Sequence, residues 1–576
     1  MRNLLILVLL LSAMTAVQAA VSIDVKLDGL NREQKKNVLA FLTIEQQRKA
    51  DDLTERRIRR YHNRAIGEIE TALQPYGYYQ PVIESSLEQD GDKWVAHYVI
   101  DPGPPVIISE IDLRFEGAGK DDPVVTAVTE SLPVKIGEQL VHADYELAKT
   151  RFRAAALNNG YRDARYQRSE VRVYREKNQA GIFLHLDTGY QAFFGPVRFE
   201  GSDIDEELLR RYIPFNTGDV WSAAKLLVLQ RGLVDSGYFS FVNIVPQPAL
   251  DKGNQVPIDI ILTANKPQKY TVGLGFSTNF GLQGSLGWLH RRINSYGHRL
   301  SAGINASQVR QDVNMTYGIP LSNPRTDVLE ITGLFRKEDT TDVKSEATEL
   351  RVSRNVMRGD DWREILSLGY KHEVDDLADS DGTSNLLIPK ASWTLVRADN
   401  RLIATDGYRV ELEISGAAEA LLSDATFLQG IMRGKLVRAF GKEGRLIMRA
   451  ETGATATGNF ERMPATNRFF TGGDNSVRGY EYKSIAPENE DGDLIGGKYL
   501  LVGSIEYDYN VYGKWYLAAF YDIGSAFSES PIDASSGAGV GIRWASPVGM
   551  VRVDVAAALS KAGNPLRLHI TFGPDF

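Results

Sequence analysis

Residues 468–480 read Arg-Phe-Phe-Thr-Gly-Gly-Asp-Asn-Ser-Val-Arg-Gly-Tyr, a glycine-rich stretch in a region that otherwise alternates apolar and polar residues. Its paired glycines permit backbone angles that other residues avoid, and the Asp-Asn-Ser that follows favours turns. Strands are predicted on either side, near 445–453 and over 499–509. The connection between them has roughly 45 residues, far more than a usual hairpin loop. Such a length predicts an insertion that is either functional or disordered, with Arg478 near its tip.

The segments around this insertion have a period of two, which predicts β-strands. Residues 270–276, 551–555 and 566–572 each place apolar side chains on one face, and the last two place Arg, Asp or His on the other. An apolar face opposite a charged face suits a transmembrane β-barrel with lipid outside and a wet interior, and a soluble β-sandwich is the alternative. Residues 267–576 provide about sixteen strands at normal spacing. The charged segment 343–384 is not assigned.

The first half of the chain repeats a small unit. A helix runs into Gly-Tyr at Gly77, Gly160 and Gly237, and each unit is predicted as strand, helix, helix, strand, strand. Such α+β modules leave a sheet edge open, so they either pair with an extended partner strand or act as spacers. The predicted division of the chain is a signal peptide (1–20), three modules (21–103, 104–189 and 190–266) and a barrel (267–576).

The N-terminus predicts export. Arg2 precedes an apolar stretch at 4–11, and small residues precede a cut near Ala19 or Ala20. No later stretch predicts a membrane-spanning helix, so the mature chain is expected to be periplasmic or an outer-membrane barrel. The net charge of -8 and the absence of cysteine disfavour nucleic-acid binding and exclude thiolate sites. Without a metalloprotease, serine-hydrolase or phosphate-loop motif, we expect no enzymatic activity, no metal and no cofactor.

Strand parity brings two carboxylates close to the long insertion. In 499–509 the alternation points Glu506 inward, and in 515–524 it points Asp522 inward. Because a guanidinium binds carboxylates through a fork of donors, we predict that Arg478 docks between them; the alternative is a solvated surface charge. The predicted docking set is Arg478, Gly479, Tyr480, Glu506, Phe520, Asp522 and Gly524.

Three stretches resemble conserved motifs of the Omp85 superfamily: Ser-Val-Arg-Gly-Tyr at 476–480, Phe-Tyr-Asp-Ile-Gly at 520–524, and Gly-Val-Gly-Ile-Arg-Trp-Ala-Ser-Pro-Val-Gly at 539–549. The resemblance implies POTRA modules before a sixteen-stranded outer-membrane barrel. It also implies that Arg478 docks in the lumen against Glu506 and Asp522, with Phe520 beside it. Residues 561–568 further resemble the C-terminal insertion signal of bacterial outer-membrane barrels.

Within the superfamily, three modules and this chain length most resemble the TamA branch, whereas the BamA branch usually has five modules and a longer chain. The TamA resemblance implies a periplasm-spanning TamB-like partner, client outer-membrane proteins such as autotransporters, and contact with outer-membrane lipid. It places the barrel in the bacterial outer membrane and the POTRA modules in the periplasm.

The seam between the first and last barrel strands is predicted as the site at which the barrel opens and a client strand pairs. Glycines weaken packing there, and a poorly paired edge can template a client strand. The predicted function is therefore insertion or translocation of client β proteins, and a passive channel or a two-partner-secretion-type pore is the alternative. The long loop, which is expected to fill the lumen, weighs against a pore. The predicted seam residues are Tyr270, Val272, Gly273, Leu274, Gly275, Leu566, Leu568, Ile570 and Phe572.

Overall fold

The computed structural model describes residues 22–50, 53–91, 93–249, 253–340, 343–359, 361–377 and 380–576. The predicted signal peptide lies outside these ranges. None of the helices within them has the length and apolar character needed to cross a membrane. The chain divides into two compact units. One holds the described residues up to 198 with 215–227 and 245–259, and the other holds 199–214, 228–244 and 260–576.

The first module is a three-stranded sheet covered by helices. In it β1 pairs in parallel with the central strand β3, and β2 forms the other edge. Asn31 caps the first helix, since its side chain accepts the backbone N–H of Gln34 at 3.0 Å. The apolar face of the long third helix packs on Trp94 and Tyr98 of β3. The elements are β1 (Ser22–Asp28), α1 (Arg32–Phe41), α2 (Thr43–Gln46), α3 (Glu55–Leu73), β2 (Val82–Asp90) and β3 (Lys93–Asp101).

The second and third modules have the same plan, with sheet orders β4-β6-β5 and β7-β9-β8. The predicted order of strand, helix, helix, strand, strand is confirmed in the second and third modules of the described chain, and the first module adds the short helix α2 to it. The second contains β4 (Ile107–Glu116), α4 (Pro123–Thr126), α5 (His142–Asn158), β5 (Arg165–Tyr174) and β6 (Gln179–Asp187). The third contains β7 (Phe193–Glu200), α6 (Glu206–Arg210), α7 (Ala223–Asp235), β8 (Phe239–Pro246) and β9 (Gln255–Ala264).

The repeated Gly-Tyr turns mark the joints between successive modules. Gly77 adopts φ +80°, and its carbonyl accepts the N–H of Val106 at the start of the second module at 2.9 Å. A Cβ on Gly77 would lie 2.3 Å from the carbonyl oxygen of Leu140, so the close approach requires glycine. Gly160 repeats the arrangement, with its carbonyl accepting the N–H of Ala192 at 2.8 Å.

The second half is a nearly closed antiparallel barrel in which each strand pairs with the next, and its described part contains the sixteen strands that were predicted. The face predicted to meet lipid is the exposed one; Tyr270, Val272 and Leu274 are 70%, 71% and 82% exposed. The strands are β10 (Gln268–Ser277), β11 (Gly281–His290), β12 (Arg299–Ala306), β13 (Arg310–Pro320), β14 (Asp327–Asp339), β15 (Val343–Arg358), β16 (Trp362–Leu377), β17 (Ser380–Ala398), β18 (Gly407–Ala417), β19 (Phe427–Phe440), β20 (Gly444–Thr457), β21 (Tyr499–Tyr512), β22 (Trp515–Phe527), β23 (Ser535–Ser546), β24 (Gly549–Ala558) and β25 (Leu566–Gly573).

The unassigned segment 343–384 forms strands β15 and β16 and the start of β17. Alternation continues along β16, but its outward face changes from Leu366 and Leu368 to His372 and Asp376. These strands are long enough to extend past the apolar band, so one end carries charge on a face that is apolar at the other end. The mixture concealed the period of two in the sequence.

Candidate functional site: the docked loop and the strand seam

The long connection between β20 and β21 is an ordered structure. Phe469 and Gly497 exchange backbone hydrogen bonds at 3.0 and 2.8 Å, and Thr471 and Ile485 exchange two at 3.0 Å. We call residues 468–485 the docked loop. Its buried side chains pack against the inner faces of β21, β22 and β24, and the cluster comprises Phe469, Val477, Tyr480, Ile485, Leu500, Val502, Ala526 and Ala558.

The structure places Arg478 between the two predicted carboxylates. Its Nε and Nη2 donate to the two oxygens of Asp522 at 2.7 and 3.0 Å, and its Nη1 donates to Glu506 Oε2 at 2.7 Å. The Phe520 ring lies against the guanidinium, with Arg478 Cζ 3.4 Å from the ring centroid. All four side chains are buried. A charge held in this way is stabilised by its partners and costs several kcal/mol to leave unpaired.

The remaining predicted docking residues explain how the backbone approaches the wall. Gly479 adopts φ +101°, and a Cβ there would lie 3.0 Å from the backbone of Ala557. At Gly524 a Cβ would lie 3.0 Å from the side chain of Val477. The buried Tyr480 hydroxyl lies 3.3 Å from the carbonyl oxygen of Ser536, to which it donates. All three residues therefore lie where the docked loop packs against the barrel wall.

Sequence reasoning missed two further members of the network, Arg543 and Asp554. Arg543 is fully buried and donates to Glu506 Oε1 at 2.9 Å and to Asp554 Oδ1 at 2.5 Å. Asp554 also accepts from Arg478 Nη1 at 3.2 Å. The signal for Asp554 was present, because it alternates with outward valines on β24. The alternation shows that Asp554 points inward, but it does not show how far along the barrel axis Asp554 lies from Arg478.

A second buried network lies beside the first and was also missed. Arg445 on β20 donates to Asp508 at 2.8 Å and to Asp575, beyond the last strand, at 2.7 Å. Arg552 and the backbone N–H of Ala404 donate to the same Asp575 carboxylate at 2.6 and 3.0 Å. The segment that follows β25 is thereby held against the inner wall.

The loop is also anchored on the opposite side of the lumen. Lys371 on β16 donates to Glu373 at 2.7 Å and to Thr466 at 2.8 Å, just before the docked loop. Lys483 forms an ion pair with Glu338 on β14 at 2.5 Å. Because its contacts reach both walls, the loop crosses the lumen.

The predicted seam lies between β10 and β25. Every other neighbouring pair of strands forms a ladder, but within the described residues the two edges share hydrogen bonds only between Thr278 and Ile570. The Thr278 N–H donates to the Ile570 carbonyl at 3.2 Å, and the Ile570 N–H donates to Thr278 Oγ1 at 3.0 Å. Most of both edges therefore presents unpaired backbone groups, which is the condition under which another strand can add.

Residues 265–576 match the Omp85 superfamily domain. The chain belongs to the Omp85 superfamily. Residues 24–102 of this Omp85 protein match the POTRA domain described as TamA domain 1, and residues 192–265 match a POTRA domain described as surface antigen variable number repeat. It is accordingly an outer-membrane β-barrel with POTRA modules in the periplasm.

Two relatives are outer membrane protein assembly factors BamA. That of Neorickettsia risticii is 24% identical over 64% of this chain and 52% of its own length. That of Nitratidesulfovibrio vulgaris is 20% identical over 83% of this chain and 62% of its own length. The chain thus spans between about half and three-fifths of the curated relatives it matches. The fold is similar to the crystal structure of Haemophilus ducreyi BamA lacking POTRA domains 1-3, with a TM-score of 0.68 and 17% identity over 81% of this chain and 99% of the other.

Proposed function

We propose that this Omp85 protein is the outer-membrane subunit of a TamA-type translocation and assembly module. It promotes insertion or translocation of client outer-membrane β proteins, such as autotransporters, through the seam between β10 and β25. The observation that carries the proposal is that these edges are joined only between Thr278 and Ile570 within the described chain. Pairing of a client strand with an open edge supplies main-chain hydrogen bonds without catalytic chemistry.

One observation supports the TamA branch. The first module matches the POTRA domain described as TamA domain 1. The BamA relatives support a role in outer-membrane protein assembly but do not favour the TamA branch over the BamA branch. A TamB-like protein that spans the periplasm is the partner proposed for the modules. In the first module, for example, the strands β1 and β2 are the sheet edges at which an added strand could pair.

The seam is tested by locking it. Phe276→Cys and Phe572→Cys stand two residues from Thr278 and Ile570 on antiparallel edges, and the chain has no native cysteine. Under oxidising conditions the pair should form a disulfide. We expect surface display of an autotransporter client to be lost when the seam is crosslinked and restored by reductant.

The matched control is Val272→Cys with Leu286→Cys, which are cross-strand partners in the β10–β11 ladder. This crosslink leaves the seam free, so client display should persist. Normal client assembly through a fully crosslinked seam would reject the proposed route.

The partner and the pore alternative need separate measurements. Purification of the whole protein after in vivo crosslinking should recover a TamB-like protein, and recovery of other assembly partners in its place would reject the TamA branch.

Planar-bilayer recordings should show small, intermittent currents because the docked loop crosses the lumen. A wide, steady conductance with unaltered client assembly in a deletion strain would support a passive channel.

A further inference from the structure

One residue of the docked loop contacts both edges of the seam. Asp474 Oδ1 accepts from the Thr278 hydroxyl at 2.7 Å and from His569 Nδ1 at 2.6 Å. Its Oδ2 accepts the N–H of Asn279 at 3.2 Å, and the Asp474 N–H donates to Asn279 Oδ1 at 3.2 Å. Thr278 and Asn279 directly follow β10, whereas His569 lies on β25. A single carboxylate therefore bridges the first and last strands.

The same threonine makes the only direct hydrogen bonds across the seam in the described chain. Because the Thr278 hydroxyl gives its one proton to Asp474, its lone pairs face the Ile570 N–H, which donates at 3.0 Å. Asp474 thus orients the group that joins the two edges. Removal of the carboxylate would free the hydroxyl to rotate away from Ile570.

His569 extends this connection to the loop tip. The Gly479 N–H donates to His569 Nε2 at 2.8 Å, so Nε2 is an acceptor and Nδ1 carries the proton given to Asp474. Gly479 follows Arg478, whose guanidinium is bound in the acidic network. The side chains of Asp474 and His569 are each only 1% exposed, so solvent does not replace these bonds when they break locally.

We propose that Asp474, Thr278 and His569 form a seam clasp, a set of positioning residues through which the docked loop holds the seam closed. The loop cannot leave the wall at Arg478 and Gly479 without pulling on His569 and Asp474, and Asp474 cannot move without releasing Thr278. Docking of the loop and closure of the seam are therefore one coupled equilibrium. The inference deepens the proposed function, and rests on it only for the claim that seam opening serves clients.

The clasp is tested by distance measurements across the seam in the purified whole protein, in lipid nanodiscs and without client. Spin labels on Leu286→Cys of β11 and Val555→Cys of β24 flank the seam from outward positions without touching the clasp. Loss of one buried, charge-assisted hydrogen bond should raise the population at long distances about tenfold. We expect this for Asp474→Ala, which removes both carboxylate oxygens, and for Thr278→Val, which removes the hydroxyl and keeps the side-chain shape.

Three further variants distinguish a clasp from general weakening. Thr278→Ser keeps the hydroxyl and should restore the short distance. The double variant of Asp474→Ala and Thr278→Val should open the seam no more than Asp474→Ala alone, because Asp474→Ala already breaks the bond to Thr278. Glu481→Gln breaks the exposed ion pair between the loop and Arg567 on β25 and should leave the distances unchanged.

Wild-type distances in both Asp474→Ala and Thr278→Val would overturn the clasp. This failure is separable from failure of the proposed function. If the clasp variants open the seam while a crosslinked seam still assembles clients, the clasp stands and the client route is rejected. If crosslinking abolishes assembly while the clasp variants stay closed, only the clasp is rejected.

Discussion

Arg478 and Asp522 meet in a fork-to-fork ion pair. The Nε and Nη2 of Arg478 donate to the two oxygens of Asp522 at 2.7 and 3.0 Å, and the Arg478 backbone N–H adds a third bond to the same carboxylate at 3.1 Å. Asp522 therefore holds both the side chain and the backbone of the loop tip. The position of the loop is tied to β22 by a geometry that a lysine cannot reproduce.

Replacement of Arg478 should release the loop. Arg478→Ala leaves Glu506, Asp522 and Asp554 buried with one fewer cation, which should destabilise the docked state by about 3–5 kcal/mol. Arg478→Lys keeps the charge but loses the fork, so we expect partial undocking. Limited proteolysis within 468–485 and the thermal midpoint in detergent measure both effects. Arg567→Gln is the control, because the 35%-exposed side chain it changes should contribute under about 1 kcal/mol. A wild-type proteolysis pattern in Arg478→Ala would contradict a docking role.

The buried pair of Arg543 and Asp554 should behave as part of one unit. In a double-mutant cycle with Arg543→Gln and Asp554→Asn, we expect a coupling free energy of about 1–3 kcal/mol, because Arg543 donates directly to Asp554, which also accepts from Arg478. The quantity is obtained from thermal unfolding midpoints of the four proteins. The exposed pair of Arg438 and Asp406 serves as the comparison and should show less than about 1 kcal/mol. Equal coupling in the two pairs would argue against a connected network.

A side chain at position 479 should destabilise the docked loop. Gly479→Ala combines a φ of +101° with a Cβ 3.0 Å from the Ala557 backbone, and we expect a loss of about 1–3 kcal/mol with increased protease sensitivity of the loop. Gly441→Ala is a matched control, because φ is also positive there but a Cβ would meet open space. It should show only the smaller cost of the backbone angle. Similar losses in the two variants would mean that the approach to Ala557 is not limiting.

The joint between the first two modules should weaken in acid. His142 Nε2 lies 2.7 Å from the Tyr79 hydroxyl, and burial lowers the pKa of His142, with Glu146 acting in the opposite direction. Because the folded pKa lies below the unfolded value of about 6.5, the folded joint binds fewer protons than the unfolded chain between the two values. The stabilisation is fully present above the unfolded pKa and is lost as the pH falls through this window.

Hydrogen exchange of the segments around Tyr79 and His142, compared at about pH 7.5 and pH 5.5, measures the effect around the unfolded pKa of the histidine. After each rate is divided by the intrinsic rate at its pH, which is lower in acid, we expect weaker protection at the lower pH in the wild type and a smaller loss of protection in His142→Asn. An identical pH response in that variant would assign the sensitivity to other groups.

Much of the loop site could be predicted because it depends on parity. Alternation along β21 and β22 showed that Glu506 and Asp522 point inward, and the length of the intervening connection marked the segment that could reach them. Parity could not predict Arg543 and Asp554 as partners of Arg478. It reports which face a residue occupies, whereas contact within the lumen depends on the stagger of the strands around the barrel.

The sequence by itself determined the three modules, the period-two barrel and the unusual loop with its arginine, since each is a local pattern of hydrophobicity, glycine or spacing. Only the tertiary structure decided that Asp474 meets Thr278 and His569, which are 196 and 95 residues away along the chain. Closure of the barrel brings the first and last strands together, and the loop returns through the lumen to the same place. No local pattern encodes that meeting, because it depends on the summed tilt and stagger of all the intervening strands.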